Sequence, residues 1–243
     1  MSTIINYFAD LCFPPDIYCI ACDNLIDNTR MYSLCDRCIK EIKWNIGRTC
    51  PKCGKAIDDD FEDDLCHDCQ KSDHLFRKGF SCVTYEGWGK KVVQNMKYKD
   101  RAYIAKNIGE IMKDRGIEIT SSLLVPVPMN ITKKNKRGYN QSELIAENLA
   151  KKTGTKCESN LLRRKKETTA MSSLSREQRK LSLQNEFYIS KYDAERINGS
   201  DVLLIDDVFT TGSTANACVE VLLRAGVVNV DLFVFASGDN LRV

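Results

Sequence analysis

From about residue 79 onwards, apolar positions follow two periods in turn, which predicts alternating strands and helices. Short, nearly continuous apolar runs typical of buried strands occupy residues 80–85, 122–128, 202–206 and 228–236. Apolar residues at helical spacing lie between them, at residues 90–98, 104–114, 138–154 and 213–226. Such alternation is typical of a mostly parallel sheet with helices on both faces. The predicted fold class of this region is therefore α/β.

The first part of the chain lacks this periodicity and is organised by cysteines. Eight of its cysteines form four Cys-x-x-Cys pairs, namely Cys19/Cys22, Cys35/Cys38, Cys50/Cys53 and Cys66/Cys69. The second two pairs repeat the first two, because CIACDNLID is followed by the matching run CPKCGKAID. Two such thiolate pairs can complete a closed tetrahedral Zn²⁺ site. We expect two structural zinc ions, the alternative being scattered thiols without a metal.

The spacing leaves the pairing of these cysteines open. In the simplest scheme the first four bind one zinc ion and the last four bind the other, and a crossed scheme is the alternative. His67 and His74 lie nearby, and we expect both at the surface and not among the ligands. Modules this small have little apolar core, so the metal is expected to supply most of their folding energy.

Composition and charge add limits to this picture. A chain of 243 residues is long enough for a helix or extension at 1–15, a double zinc ribbon at 16–72 and an α/β domain at 79–243. The net charge is only +3, but acids concentrate at 58–64 and bases at 133–180. No apolar run predicts membrane insertion or a signal peptide, so the expected location is the cytoplasm, where thiols stay reduced.

Parallel sheets bind ligands beyond the carboxyl ends of their strands, which directs attention to VLLIDDVFTTGSTA at 202–215. Asp206 and Asp207 precede a loop of small and hydroxyl residues, Thr210, Thr211, Gly212, Ser213 and Thr214. Gly212 permits a positive φ, and successive amides before a helix can bind an anion such as phosphate. The alternative is an ordinary helix start capped by Ser213.

The run LLIDDVFTTGST resembles the phosphoribosyl pyrophosphate (PRPP) signature of type I phosphoribosyltransferases. The resemblance extends to LCFPPDIYCIAC, the paired ribbons, YEGWGKKVVQNMKYKDR, LVPVPMNITKKNKRGYNQSELIAENLA and LLRRKKETTAMSSLSREQRKLSLQNEF. In this order they resemble the ComF/ComFC family over nearly the whole chain. Those proteins are phosphoribosyltransferase-like and are associated with DNA uptake in natural competence.

The resemblance implies roles for several residues. The loop from Thr210 to Thr214 would bind the 5′-phosphate of PRPP, and Asp206 and Asp207 would contact the ribose hydroxyls, directly or through Mg²⁺. Near C1′ these two carboxylates would also be the catalytic residues. The pyrophosphate loop would consist of Arg137, Gly138, Tyr139 and Asn140, for which a solvated basic loop is the alternative. The candidates for a flexible lid are Arg163, Thr168, Arg176 and Arg179.

Three functions remain open at this point. The first is an Mg²⁺-dependent phosphoribosyltransferase whose acceptor is unknown. The second is a non-catalytic module of the uptake machinery that binds single-stranded DNA and has PRPP as a regulatory ligand. The third is an adaptor that binds a competence helicase through its ribbons, as the family suggests.

Overall fold

The computed structural model describes residues 17–98, 101–115, 119–165 and 186–238. The predicted N-terminal extension at 1–15 lies outside these residues, and so do Thr168, Arg176 and Arg179 of the predicted lid. Within the described ranges, no helix combines the length and apolar character needed to cross a membrane. The domain boundaries given above stay a prediction.

Five parallel strands form the central sheet. Within the described ranges the strands are, in chain order, β1 (Gly79–Thr84), β2 (Leu123–Pro126), β3 (Lys156–Cys157), β4 (Arg163–Arg164), β5 (Phe187–Tyr188), β6 (Asp201–Phe209) and β7 (Asn229–Ser237). The sheet order is β1-β7-β6-β2-β3, and every neighbouring pair in it is parallel. Strands β4 and β5 form a separate antiparallel pair. The predicted mostly parallel α/β sheet is confirmed.

The part of the chain that the structure describes contains the α-helices α1 (Asp36–Glu41), α2 (His67–Lys71), α3 (Gly87–Tyr98), α4 (Ile104–Asp114), α5 (Ile131–Arg137), α6 (Gln141–Thr153), α7 (Lys191–Ile197) and α8 (Ser213–Arg224). Helix α5 ends at Arg137, so the first residue of the predicted pyrophosphate loop is helical. Asn130 starts it by accepting a hydrogen bond from the Thr132 amide at 2.9 Å, and Gly138 ends it at φ +84°. The capping residues at both ends therefore define this helix, although it has no apolar stripe.

The alternation of side chains along β6 divides the core into two apolar clusters. Leu203 and Ile205 lie in the cluster that contains α3, α4 and α6. Val202 and Leu204 point the other way, into the cluster that contains α8. Helices therefore cover both faces of the sheet, as the sequence predicted.

The two cysteine modules lie on opposite faces of this sheet. The first ribbon contributes Ile20 to the cluster with α3 and α4, whereas the second contributes Ile57 to the cluster with α8. Between them, residues 43–45 run along the edge strand β1, where the Asn45 amide donates to the Cys82 carbonyl at 2.9 Å. The ribbons thus enclose one edge of the sheet.

Candidate functional site

The cysteines converge in two groups of four, within which all sulfurs lie within 4.8 Å of one another. One group consists of Cys19, Cys22, Cys35 and Cys38, and the other of Cys50, Cys53, Cys66 and Cys69. The simplest pairing scheme is therefore correct, and the crossed one is excluded.

These sulfur positions fit tetrahedral zinc. The Cys22 and Cys35 sulfurs are 3.7 Å apart, and those of Cys53 and Cys66 are 3.5 Å apart. Zn–S bonds of about 2.3 Å in a tetrahedron place sulfurs about 3.8 Å apart. The two sites differ in burial, because Cys22 and Cys35 are half-buried while all four thiols of the second site are buried. Zinc in these Cys₄ sites would be structural, since each site is closed by four protein ligands.

The loop from Thr210 to Thr214 joins β6 to α8. Gly212 has φ +76° and directly precedes the helix, whereas Ser213 is already its first residue. The N-cap residue of α8 is Gly212, which has no side chain to accept a hydrogen bond from the first amides of the helix. The alternative of a cap by Ser213 is therefore wrong. These amides and the exposed hydroxyls of Thr210 and Thr211 are available to an anion.

Asp206 and Asp207 lie inside β6, which continues to Phe209, and not at the end of a strand. The Asp206 carboxylate accepts hydrogen bonds from the Ser142 hydroxyl at 2.7 Å and from the Asp207 amide at 2.9 Å. Asp207 is 7% exposed, and its carboxylate lies 2.6 Å from the Lys97 ammonium nitrogen. The two neighbouring acids thus have different partners, one at the start of α6 and one near the end of α3.

These environments shift the pKa values of Asp206 and of Lys97. Burial and, to a smaller extent, the neighbouring Asp207 carboxylate raise the pKa of Asp206 to about 7. For Lys97, burial disfavours the charged form, but the Asp207 carboxylate outweighs this and raises its pKa. Lys97 therefore stays protonated beside Asp207, whereas Asp206 changes charge near neutral pH.

Asp206 also shares a cavity with the loop. A cavity of about 60 Å³ is lined by Asp206, by residues 208–215, and by Leu232 and Val234 of β7. The structure therefore brings one predicted acid together with every residue of the predicted phosphate loop. Asp207 is turned towards α3, on the other side of β6.

The four residues of the predicted pyrophosphate loop have two kinds of environment. Asn140 is buried and donates to the Val127 carbonyl at 3.0 Å, and the Tyr139 hydroxyl donates to the Met96 carbonyl. These two residues hold the segment in place. Arg137 is half-buried with its guanidinium 5.6 Å from the centre of the Tyr98 ring, and Gly138 is exposed. The Gly138 amide donates to the Lys134 carbonyl at 2.7 Å, so Arg137 is the group of this segment that can reach a ligand.

Arg163 is the one lid candidate within the described residues. It begins β4, and its guanidinium donates to the Asn160 carbonyl at 3.0 Å and to the Asp193 carboxylate at 3.1 Å. Arg163 thus has a structural partner at the start of α7.

Sequence reasoning missed three residues of the site. No motif in the sequence marks Lys97 as the partner of Asp207. None marks Lys55 either, although its ammonium nitrogen donates to the Thr210 carbonyl of the loop at 3.2 Å. His74 was expected at the surface but is 6% exposed, because it stacks on Phe76 with ring centres 5.0 Å apart. One signal was available for Lys55: in the aligned repeat the first ribbon has Asn24 at this position.

The first part of the chain matches a known domain family. Residues 8–70 match the family described as Double zinc ribbon domain. The protein is thus of a class that joins a double zinc ribbon with two Cys₄ sites to a mostly parallel α/β domain.

The chain is also a homologue of competence proteins over most of its length. It is 27% identical over 207 residues to Competence protein F of Haemophilus influenzae, covering 82% of this chain and 88% of that protein. It is 26% identical over 207 residues to Competence protein ComFC of Bacillus subtilis, with 79% of each covered. DNA utilization protein YhgH of Salmonella typhi is 25% identical over 209 residues, covering 83% of this chain and 89% of that protein. The resemblance to ComF/ComFC proteins is confirmed.

Among solved structures, phosphoribosyltransferase domains are structural neighbours of this chain. Glutamine PRPP amidotransferase from B. subtilis has 19% sequence identity and a TM-score of 0.40, covering 56% of this chain and 26% of that one. A hypoxanthine phosphoribosyltransferase from Staphylococcus aureus has 18% identity and a TM-score of 0.31, covering 56% and 62%. Similarity at this level carries no argument about the ligand of this chain.

Proposed function

We propose that this is a cytoplasmic PRPP-binding, phosphoribosyltransferase-like protein that acts in DNA uptake and transformation. The observation that carries the proposal is the cavity shared by Asp206 and the loop at 210–214. Around it, groups that could donate hydrogen bonds to a phosphate lie next to a carboxylate that could accept from sugar hydroxyls. The names Competence protein F and ComFC support the role in DNA uptake.

The residues suggest how such a ligand would be held. The amides at the start of α8 and the loop hydroxyls would bind the 5′-phosphate. Asp206, the acid that lines the cavity, would accept a ribose hydroxyl, and its oxygens are of the kind that bind Mg²⁺ or its waters. Arg137 would face the pyrophosphate. The ion pair between the half-buried Lys97 and the buried Asp207 would fix the end of α3 beside the sugar.

For transfer, the bond from C1′ to the pyrophosphate oxygen would break, and a bond from C1′ to the acceptor would form. The electron pair of the broken bond leaves with pyrophosphate, so positive charge develops at C1′. Carboxylates close to C1′ stabilise that charge. We assign this role to Asp206, and Asp207, which lies on the other side of β6, would add to it. Nucleobases and nucleic acids are the first acceptors to test.

The binding proposal can be tested by calorimetry, in which PRPP is titrated into the protein in the presence of Mg²⁺. We expect Asp206→Asn to weaken PRPP binding about tenfold, because it removes the charge but keeps the shape of a hydrogen-bonding side chain. The matched control is Glu220→Gln on α8, which removes a carboxylate that pairs with Arg224 at the surface. Failure of the wild-type protein to bind millimolar PRPP would overturn the proposal. We leave Asp207 unchanged because its removal would strand the half-buried Lys97.

A second candidate function, a non-catalytic module that binds single-stranded DNA, has its own support. Lys133 and Lys136 on α5 are exposed, and Tyr98 beside Arg137 is 75% exposed. Basic groups next to an exposed aromatic ring suit phosphates and stacked bases.

Two assays separate these candidates. Pyrophosphate release from PRPP with any acceptor supports catalysis, and its absence with all acceptors favours the binding module.

The second assay measures binding of single-stranded DNA at several salt concentrations. The double change Lys133→Gln/Lys136→Gln should weaken binding and reduce the slope of log affinity against log salt concentration by about 2. The exposed Lys71→Gln change in the second ribbon is the control. DNA affinity that does not depend on salt would exclude the second candidate.

A further inference from the structure

The second ribbon contacts the phosphate loop through Lys55, which does not line the ligand cavity. Lys55 is only 1% exposed, and its ammonium nitrogen donates to the Thr210 carbonyl at 3.2 Å. The same ammonium pairs with the carboxylate of Asp68. Asp68 stands between Cys66 and Cys69, and Lys55 stands two residues after Cys53. One buried charge therefore connects both halves of the second Cys₄ site to the loop.

A second contact fixes the other end of the loop. A Cβ atom at Gly212 would lie 2.5 Å from Cε1 of His74, so the ring occupies the space where a side chain would be. His74 also packs edge-on against Phe209, with ring centres 5.4 Å apart. In the first turn of α8, the Asn216 side chain accepts a hydrogen bond from the Leu75 amide at 3.0 Å. The loop is thus held at its start, at its glycine and at the helix that follows.

We propose that the second ribbon positions the phosphate loop, and that Lys55 is the positioning residue that links the second zinc site to anion binding. This inference rests on the proposed function of the loop. Lys55 does not line the ligand cavity, so it acts through the Thr210 carbonyl.

The geometry of the peptide bond explains how this link works. In a trans peptide the carbonyl and the following amide point in opposite directions. Because Lys55 holds the Thr210 carbonyl on the ribbon side, the Thr211 amide faces away from the ribbon, where the phosphate is proposed to bind. A buried ammonium needs both of its acceptors. Zinc fixes the two turns that carry Lys55 and Asp68, so loss of zinc would free the carbonyl and the amide with it.

The test uses Lys55→Met in the full-length protein, with Lys71→Met as the matched control. Lys71 belongs to the same ribbon but is exposed. Ribose 5-phosphate and pyrophosphate serve as separate probes in calorimetric titrations. For Lys55→Met we expect about tenfold weaker binding of ribose 5-phosphate and unchanged binding of pyrophosphate. A merely structural role of Lys55 would lower both affinities together or neither.

A second measurement needs no ligand. Hydrogen exchange of the amides at 210–214 should become at least about tenfold faster in Lys55→Met, and in wild-type protein treated with a chelator that removes the second zinc. If wild-type protein binds no ribose 5-phosphate, the proposed function fails. The exchange measurement still tests whether Lys55 connects the second zinc site to the loop. Unchanged exchange and unchanged ribose 5-phosphate affinity, at wild-type zinc content, would overturn the inference.

A further variant covers the case in which Lys55→Met does not fold. Asp68→Asn keeps the size of a half-exposed side chain and removes the anion that holds Lys55. It should shift loop exchange and ribose 5-phosphate affinity in the same direction, by about threefold. An Asp68→Asn protein identical to wild type in both measurements contradicts the link.

Discussion

The two ribbons share their cysteine spacing but support different parts of the molecule. The first is held to α3, where Asn95 donates to the carbonyls of Ile20 at 2.8 Å and Ala21 at 3.1 Å. Helix α3 in turn carries Lys97, the partner of Asp207. The second ribbon reaches the loop at 210–214 through Lys55. A duplicated module thus supports two sides of one site from opposite faces of the sheet.

A single aligned position illustrates how the copies diverged. Asp23 in the first ribbon and Gly54 in the second both have positive φ, at 66° and 75°. A Cβ atom at Gly54 would lie 2.6 Å from the Phe80 Cα, so this turn packs directly on the backbone of β1. Asp23 carries a side chain and pairs with Arg101 after α3. The same turn therefore serves close backbone packing in one copy and an ion pair in the other.

The largest expected effect comes from removing one zinc ligand at a time. Cys22→Ser and Cys53→Ser should each lose one zinc per chain and at least about 4 kcal/mol of unfolding free energy, since the metal provides folding energy. Cys53→Ser should accelerate hydrogen exchange at 210–214, and Cys22→Ser should accelerate it in α3. Zinc analysis and exchange measurements check this. If either variant loosened both regions equally, the two ribbons would be one unit.

The next effect tests the diverged turn. Gly54→Asn should destabilise the protein by about 3 kcal/mol, because its Cβ would overlap the backbone of β1. The matched change Asp23→Asn keeps a residue type that tolerates positive φ and removes only a partly exposed ion pair, so we expect less than about 1 kcal/mol. Urea unfolding measures both. Equal costs at the two positions would show that the turns are equivalent.

Asn95→Ala tests the attachment of the first ribbon. It leaves two buried carbonyls without their donor, which should cost about 2–3 kcal/mol. Asn148→Ala is the control, because the Asn148 side chain donates only to the Leu144 carbonyl of its own helix, at 2.8 Å. We expect less than about 1 kcal/mol there. A cost for Asn95→Ala no larger than the control's would mean that other contacts hold the ribbon.

The smallest effect is a pH dependence that arises from Asp206. The folded-state pKa of Asp206 is about 7, above its value of about 3.9 in an unfolded chain. Between these values the folded state binds a proton that the unfolded state has lost. The unfolding free energy should therefore fall as the pH rises towards 7, by about 1–2 kcal/mol from pH 5 to pH 7. Urea titrations at pH 5, 6 and 7 should show this slope in wild type and its loss in Asp206→Asn. Parallel pH profiles of the two proteins would argue against a raised pKa.

The sequence predicted the central strands, their helices and both metal groups because each depends on a local pattern. Buried parallel strands are continuous apolar runs, and zinc ligands require fixed spacing. Helix α5 was missed because its mostly polar residues have no apolar period, although Asn130 and Gly138 marked its ends. Strand β6 was predicted too short because the two acids interrupt an apolar run that resumes at Val208 and Phe209.

Contacts between distant segments could not be predicted. The burial of His74 depends on Phe76 and on Phe209, which is far along the chain. The Lys97–Asp207 pair likewise joins two segments that meet only in the folded protein. For Lys55, its difference from Asn24 in the other repeat marked a change of role, but only the structure identifies its partner, Thr210.

The path of residues 43–45 has a consequence for handling the protein. An edge strand with open hydrogen-bonding groups is a template for sheet extension between molecules. Here the Lys43 carbonyl accepts a hydrogen bond from the Thr84 amide at 2.9 Å, and Trp44 forms an antiparallel bridge with Val83, so part of that edge is covered. A chain shortened to begin after residue 72 would expose β1 and should aggregate. The ribbon segment therefore also protects the protein from aggregation. A truncation that removes the ribbons would change self-association as well as any binding to a partner.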